Sequence, residues 1–257
     1  MWCAELRFKI IANTDYQAAE SVLRNYLERL IFQGQILGRE FPTHLVQDTF
    51  VCQVVIPTQD ALNMQWHSPV GLKALEQLSA GGLAYPVVNI LGMDLMSNHT
   101  DPCEQSDEYI LYCRFGQMNS VLYCAEHLAP VPLFRCPAVD GSDHEALIRW
   151  QLQYQALDEI QMQQHSVLLG HAERALQHPR SQLNLQGRHF AKTLSQALHK
   201  PVFYALYRGT SQDCATEAER LCPCCGAEWR LTSPIADLFD FQCRQCMLVS
   251  NIAWQCQ

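Results

Sequence analysis

Leu6, Phe8 and Ile10 alternate with Glu5, Arg7 and Lys9 along residues 4–11. A period of two places the apolar side chains on one face, so this segment is predicted to be a half-buried strand. Behind it Ala19, Leu23, Tyr26, Leu27, Leu30 and Ile31 recur at helical spacing. Thr14 with Gln17 has the pattern of a capping box, and Gly34 is a stop. Thr49–Ile56 is almost wholly apolar and predicts a buried strand ended by Pro57. Residues 70–80 predict a helix closed by Gly81-Gly82, and residues 86–91 another strand. Strand, helix, strand, helix, strand points to an α/β or α+β sandwich. No glycine-rich phosphate loop follows any of these strands, so nucleotide binding has no support.

Residues 97–107 are polar, contain a proline, and predict a loop. Strands are expected at 109–115 and 121–124, after which Pro130, Pro132 and Pro137 keep the chain extended and irregular. Ser142 with Glu145 forms a second capping box. It opens a helix that carries Leu147, Trp150, Tyr154, Leu157 and Ile160 on one face and glutamines on the other. Two more helices are expected at 166–177 and 188–198, then a strand at 202–207 and a link at 208–219. No internal repeat is present.

In Cys222-Pro223-Cys224-Cys225-Gly226, Cys225 is separated by seventeen residues from the second pair, Cys243-Arg244-Gln245-Cys246. Two C-x-x-C pairs so spaced are the sequence form of a four-thiolate structural zinc site, with Cys222, Cys225, Cys243 and Cys246 as ligands. Each pair must turn tightly for two sulfurs to reach one metal, and Gly226 supplies positive φ for the first turn. Short strands are expected at 227–231, 238–241 and 248–254, with Ser233-Pro234 separating the first two. That is a zinc ribbon, a hairpin plus one strand. About forty residues bury too little surface to fold alone, so the metal contributes folding free energy there.

The chain of 257 residues carries thirteen cysteines, a formal charge of −8 and 48% hydrophobic residues. It can hold one large domain or two modest ones. The cysteines are dispersed, no leader-like apolar core marks the N-terminus, and no run of about 18 apolar residues suggests a membrane span. A reducing cytoplasm and no membrane partner are therefore expected. The acidic balance argues against a strong nonspecific grip on nucleic acid. Residues 217–257 are no better, with Arg220, Arg230 and Arg244 against five carboxylates.

Several words of the sequence resemble a bacterial family of zinc-ribbon-containing proteins that carries a nucleic-acid-binding label. They are Val131-Pro132-Leu133-Phe134-Arg135, Trp150 with Tyr154 and Asp158, and Ser181-x-Leu183 with Gly187. Next come residues 201–208, Pro-Val-Phe-Tyr-Ala-Leu-Tyr-Arg, and Cys222-Pro223-x-Cys225-Gly226-x-x-Trp229. The last is Phe239-Asp240-Phe241-x-Cys243-x-x-Cys246-x-Leu248-Val249-Ser250-Asn251. The match covers about the last 150 residues in detail. It implies the ribbon and a nucleic-acid role, and no reaction.

Cys124 and His127 have knuckle spacing, and Cys113 and Cys136 are near enough in sequence to complete a second metal site. Buried core thiols are the competing expectation. Cys224, Cys214 and Cys256 are expected to be spare. Trp229 suits packing over the ribbon or stacking on a base, and Arg220, Arg230 and Arg244 suit solvent or phosphate. Trp150, Tyr154 and Asp158 lie along one helical face, which is usually core, although a polar group among aromatics also suits a pocket. No nucleophile–base pair, carboxylate pair or open metal site is present. The expectation is an α+β protein with a mixed sheet and packed helices, plus a small C-terminal four-cysteine zinc ribbon. Three stretches are expected: residues 1–100 as an α/β-type sandwich, 101–216 continuing that body, and 217–257 as the ribbon. One structural Zn2+ is expected, with a non-enzymatic role in binding nucleic acid. The alternative is a protein-interaction or regulatory adaptor of inhibitor or immunity type.

Overall fold

The computed structural model describes residues 1–11, 14–103, 106–117, 119–139, 141–164 and 167–257. The chain divides into two units. The first takes Met1–Thr100, Gln117–Ser120 and Pro132–Glu145, and the second Asp101–Gly116, Val121–Val131 and Ala146–Gln257.

In the first unit β1 (Trp2–Lys9) turns Ala4, Leu6 and Phe8 into the core, as the alternation predicts. It pairs antiparallel with β3 (Thr49–Ile56) and β4 (Val87–Met93), and β2 (Thr43–Val46) adds to β3, giving the order β2-β3-β1-β4. The helices α1 (Tyr16–Phe32) and α2 (Pro69–Ala80) bury Leu23, Tyr26, Leu30, Leu75 and Leu78 in the same core. Ser68 caps α2 by accepting from Gly71 N, and Pro69 occupies the first turn, where a missing N–H costs nothing. The cap of α1 is Asp15, which accepts from Gln17 N at 3.1 Å. The expected cap, Thr14, instead donates its hydroxyl to the carbonyls of Ile11 and Gly82. All four residues of β2 are exposed, so it carries no apolar period. Among the described residues β2 and β4 are the edge strands of this sheet, and nearly every side chain of β4 is exposed.

The second unit is built on a six-stranded mixed sheet. Its strands are β5 (Tyr109–Leu111), β6 (Leu122–Cys124), β7 (Val202–Leu206), β8 (Arg230–Ile235), β9 (Phe239–Cys243) and β10 (Leu248–Ser250). The order is β6-β5-β7-β10-β9-β8, with β7 parallel to both β5 and β10 and the remaining pairs antiparallel. The ribbon strands therefore continue the sheet of residues 101–216, because β10 joins β9 on one side and β7 on the other. Pro234 lies within β8 rather than ending it, on an edge strand with no outer partner to claim its missing N–H. The turn comes later, at Ala236 and Asp237, with φ of 50° and 54°.

Three helices complete this unit: α3 (Glu145–Gln163), α4 (Leu169–Gln177) and α5 (Gln182–Leu198). Ser166, the expected start of α4, lies outside the described residues. Ser181 caps α5 by accepting from Asn184 N at 3.2 Å, which starts that helix six residues before the expected 188. Tyr204 donates to Asn184 Oδ1 at 2.6 Å, and Trp150 Nε1 donates to Leu183 O at 2.9 Å. Gly187 lets these rings approach α5: a Cβ there would lie 2.4 Å from Tyr204 and 2.6 Å from Trp150. The words Trp150, Ser181-x-Leu183, Gly187 and Tyr204 thus form one packed cluster. A short helix α6 (Cys214–Glu217) follows β7. Among the described residues no helix is long and apolar enough to cross a membrane.

Candidate metal centre

Cys222, Cys225, Cys243 and Cys246 bring their sulfurs within 4.8 Å of one another. The turns that do this are alike. Cys222 N donates to Ala227 O and Gly226 N to Cys222 O, both at 2.9 Å, with Gly226 at φ 74°. In the second, Cys243 pairs with Leu248 across the β9–β10 turn, and Met247 takes φ 51°. In each, the cysteines stand at the first and fourth positions, the fifth has positive φ, and the first pairs with the sixth. Cys225 and Cys243 sulfurs lie 3.6 Å apart. Tetrahedral coordination at ~2.3 Å separates two thiolates by about 3.8 Å, so the donor set and spacing fit a closed metal site. The Ala227 amide and then Cys246 hold the Cys225 thiol down at about 7, while desolvation raises Cys243 and Cys246.

The ribbon arginine and tryptophan face inward. Trp229 is buried against Phe241, with ring centroids 5.1 Å apart, and donates Nε1 to Arg220 O. The Arg220 guanidinium lies 4.8 Å from the Trp229 ring centroid and 4.2 Å from that of Phe241. It pairs with buried Glu217 and donates to Ser250 Oγ at 2.7 Å and Asn251 O at 2.9 Å. Burial lowers it to about 10, with Glu217 opposing the shift. Asn251 bridges both backbone groups of Arg208, and Asp240 accepts from Ile252 N. The two remaining phosphate candidates differ: Arg244 pairs with Glu108, and Arg230 is exposed.

Cys224 is an exposed thiol beside the cluster. Cys214 and Cys256, expected to be spare, form a disulfide, because α6 brings Cys214 to the turn ending at Cys256 with Cα atoms 5.3 Å apart. Nothing in the sequence distinguishes this pair, 42 residues apart, from the other dispersed cysteines.

Cys124 and His127 do come together, with partners other than those expected. Asp101, Cys103, Cys124 and His127 place one ligand atom each within 4.8 Å of the others. Cys113 is instead buried beside Asp158, and Cys136 is buried in the first unit with its sulfur toward Pro132 O. Neither Asp101 nor Cys103 has any regular spacing to Cys124, so the sequence holds no signal for them.

The aromatic stripe of α3 divides in two. Trp150 is core, while Tyr154 and Asp158 line a cavity of about 710 Å³ with Tyr112, Tyr207 and Trp254. Burial, and then neighbouring Glu159, raise the Asp158 carboxyl to about 6. Gln161 Nε2 donates to Tyr207 Oη at the same cavity.

Fold and cluster together define a two-unit α+β protein with a four-cysteine cluster near its C-terminus. The chain belongs to the same family as an uncharacterized protein of Haemophilus influenzae, to which it is 30% identical over 259 residues covering 99% of both chains. A second uncharacterized H. influenzae protein is 30% identical over 200 residues, covering 78% of this chain and 94% of its own. Three family models match in series, each a domain of unknown function: DUF8589 over residues 1–92, DUF2310 over 103–207 and DUF8594 over 211–256. Among solved structures, a protein from Deinococcus radiodurans named as an antibiotic biosynthesis monooxygenase is 10% identical. It covers 39% of this chain and all of its own, with a TM-score of 0.28. A second antibiotic biosynthesis monooxygenase is 17% identical, covers 37% of this chain and 99% of its own, and has a TM-score of 0.26. Scores this low say nothing about the chemistry of this chain.

Proposed function

We propose that this is a zinc-ribbon protein that acts by binding, with one structural Zn2+ on Cys222, Cys225, Cys243 and Cys246 and a protein as its partner. Four thiolates leave a tetrahedral zinc no open position for water or substrate, so the metal's role is architectural. It clamps the β8–β9 hairpin and β10, and through β10 the sheet that includes β7.

The observation that carries the choice of partner is Arg220. Its guanidinium is held between two rings and Glu217, and Trp229 beneath it has no free face for a base. With Arg244 paired, Arg230 is left among the ribbon's phosphate candidates, on a chain of charge −8. Nucleic-acid affinity needs several such contacts. By contrast, Val87, Leu91, Met93, Leu95 and Met96 are all exposed along and just after β4, the kind of apolar surface that protein partners cover.

Titration of the zinc-loaded chain with single- and double-stranded DNA and RNA, at low and moderate salt, tests this. Affinities no tighter than the nonspecific range of about 10⁻⁴–10⁻⁶ M are expected. Submicromolar binding that weakens steeply with salt overturns the protein-partner reading.

A further inference from the structure

We propose that Asp101, Cys103, Cys124 and His127 form a second Zn2+ site, distinct from the ribbon. His127 Nδ1 lies 3.6 Å from the Cys103 sulfur, 3.6 Å from the Cys124 sulfur and 3.6 Å from Asp101 Oδ1. Zinc bonds of ~2.0–2.3 Å in a tetrahedron separate neighbouring ligands by about 3.3–3.8 Å. Three equal separations from one nitrogen, in that range, are the edges of such a polyhedron.

The backbone supplies an independent argument. Cys124 N donates to Ala129 O at 3.0 Å, Leu128 N donates to Cys124 O at 2.9 Å, and Leu128 takes φ 46°. This is the turn of Cys222–Ala227: ligands at the first and fourth positions, positive φ at the fifth, and pairing of first with sixth. Leucine has no intrinsic liking for that φ, unlike Gly226. The same metal-binding turn has been built at the end of β6 with histidine in place of the second cysteine.

The other two ligands, Asp101 and Cys103, precede β5 in the chain. Asp101 N donates to Pro130 O, which fixes this segment beside the turn. The Asp101 side chain is 2% exposed, and its oxygens accept from Cys103 N at 3.3 Å and Ser106 Oγ at 3.2 Å. Supporting hydrogen bonds of this kind orient metal-bound carboxylates. His127 is 41% exposed, which leaves the cluster open to an entering ion. Two thiolates, one imidazole and one carboxylate are a donor set that zinc accepts and that magnesium and calcium do not favour.

Metal analysis of the full chain purified in the presence of zinc is the test. The wild type is expected to hold two zinc per chain, and Cys103→Ser/His127→Ala one. Cys243→Ser, which breaks the ribbon, is also expected to hold one. One zinc in the wild type that survives Cys103→Ser/His127→Ala overturns the second site. One zinc that is lost in that variant but kept in Cys243→Ser supports it and removes the ribbon reading instead. Should the double variant fail to fold, Asp101→Asn replaces it. This variant is expected to weaken chelator-resistant binding of the second zinc at least tenfold, and unchanged binding overturns the site.

Discussion

Arg220 Nε lies 2.9 Å from Glu217 Oε1, and the Glu217 side chain is 2% exposed. The pair is roofed by Trp229 and Phe241, and Glu217 also accepts from Ala253 N at 3.3 Å. Stranding one member of a buried pair costs about 3–5 kcal/mol, but Arg208 Nε lies 3.5 Å from the same Glu217 oxygen and leaves it one cation when Arg220 is removed. Arg220→Ala is therefore expected to destabilise by less than that amount and to speed amide exchange in β8–β10. Replacing both residues, as Arg220→Met with Glu217→Leu, is expected to cost less than Arg220→Ala alone. Denaturant unfolding of the three variants checks the order.

Gly187→Ala sets helix propensity against packing. Alanine gains about 1 kcal/mol in a helix interior. The new Cβ meets the rings of Tyr204 and Trp150, both fixed by hydrogen bonds. Overpacking of this kind costs about 1–3 kcal/mol. A net loss is expected, visible as a lower urea midpoint, and a gain in stability would refute the packing account.

Asp158 and His144 give opposite pH dependences. Asp158 is held protonated to about 6 in the fold, against ~3.9 for an unfolded aspartate. Between those values the folded chain binds more protons, so stability falls as pH rises through the window. Asp158→Asn is expected to abolish that fall and to be the more stable protein at pH 7. Fully buried His144 is lowered to about 4 by desolvation, against ~6.5 unfolded. Its contribution is lost as pH falls from about 6.5 to 4, so His144→Leu is expected to flatten the acid limb. Unfolding free energies across pH 4–8 separate the two.

The Cys214–Cys256 disulfide and the four-cysteine cluster involve separate residues near the C-terminus. Closing a loop of 42 residues is worth about 4 kcal/mol in the chain-entropy estimate. Cys256→Ser is expected to cost up to that amount while zinc content stays at the wild-type value. Loss of metal in this variant would show that the two staples depend on each other.

The elements with a strong apolar period, β1, α1, β3 and α2, were legible from the sequence because burial on one face dictates their residues. The clustering of Cys222, Cys225, Cys243 and Cys246 was legible because two C-x-x-C pairs are spaced as a metal site would need. Thr14 was misread as a cap because its hydroxyl finds carbonyls at Ile11 and Gly82, 68 residues away in the second case. The shared β10 was not legible, since Leu248–Ser250 is short and its parallel partner β7 lies far back in the chain. Asp101 and Cys103 were missed for a similar reason. Tertiary structure brings them to Cys124, and no local spacing records it.

The position of β10 also governs the order in which the molecule can be assembled. Every residue of β7 is buried, and one of its two flanking strands is Leu248–Ser250. Until those residues have been synthesised, β7 presents an apolar strand with one unpaired edge, the surface on which chains pair wrongly. A metal held by Cys243 and Cys246, which flank the β9–β10 turn, would set these two strands in register just as that edge needs its partner. With the proposed site, metal supply during synthesis would set how long the nascent chain stays exposed to aggregation.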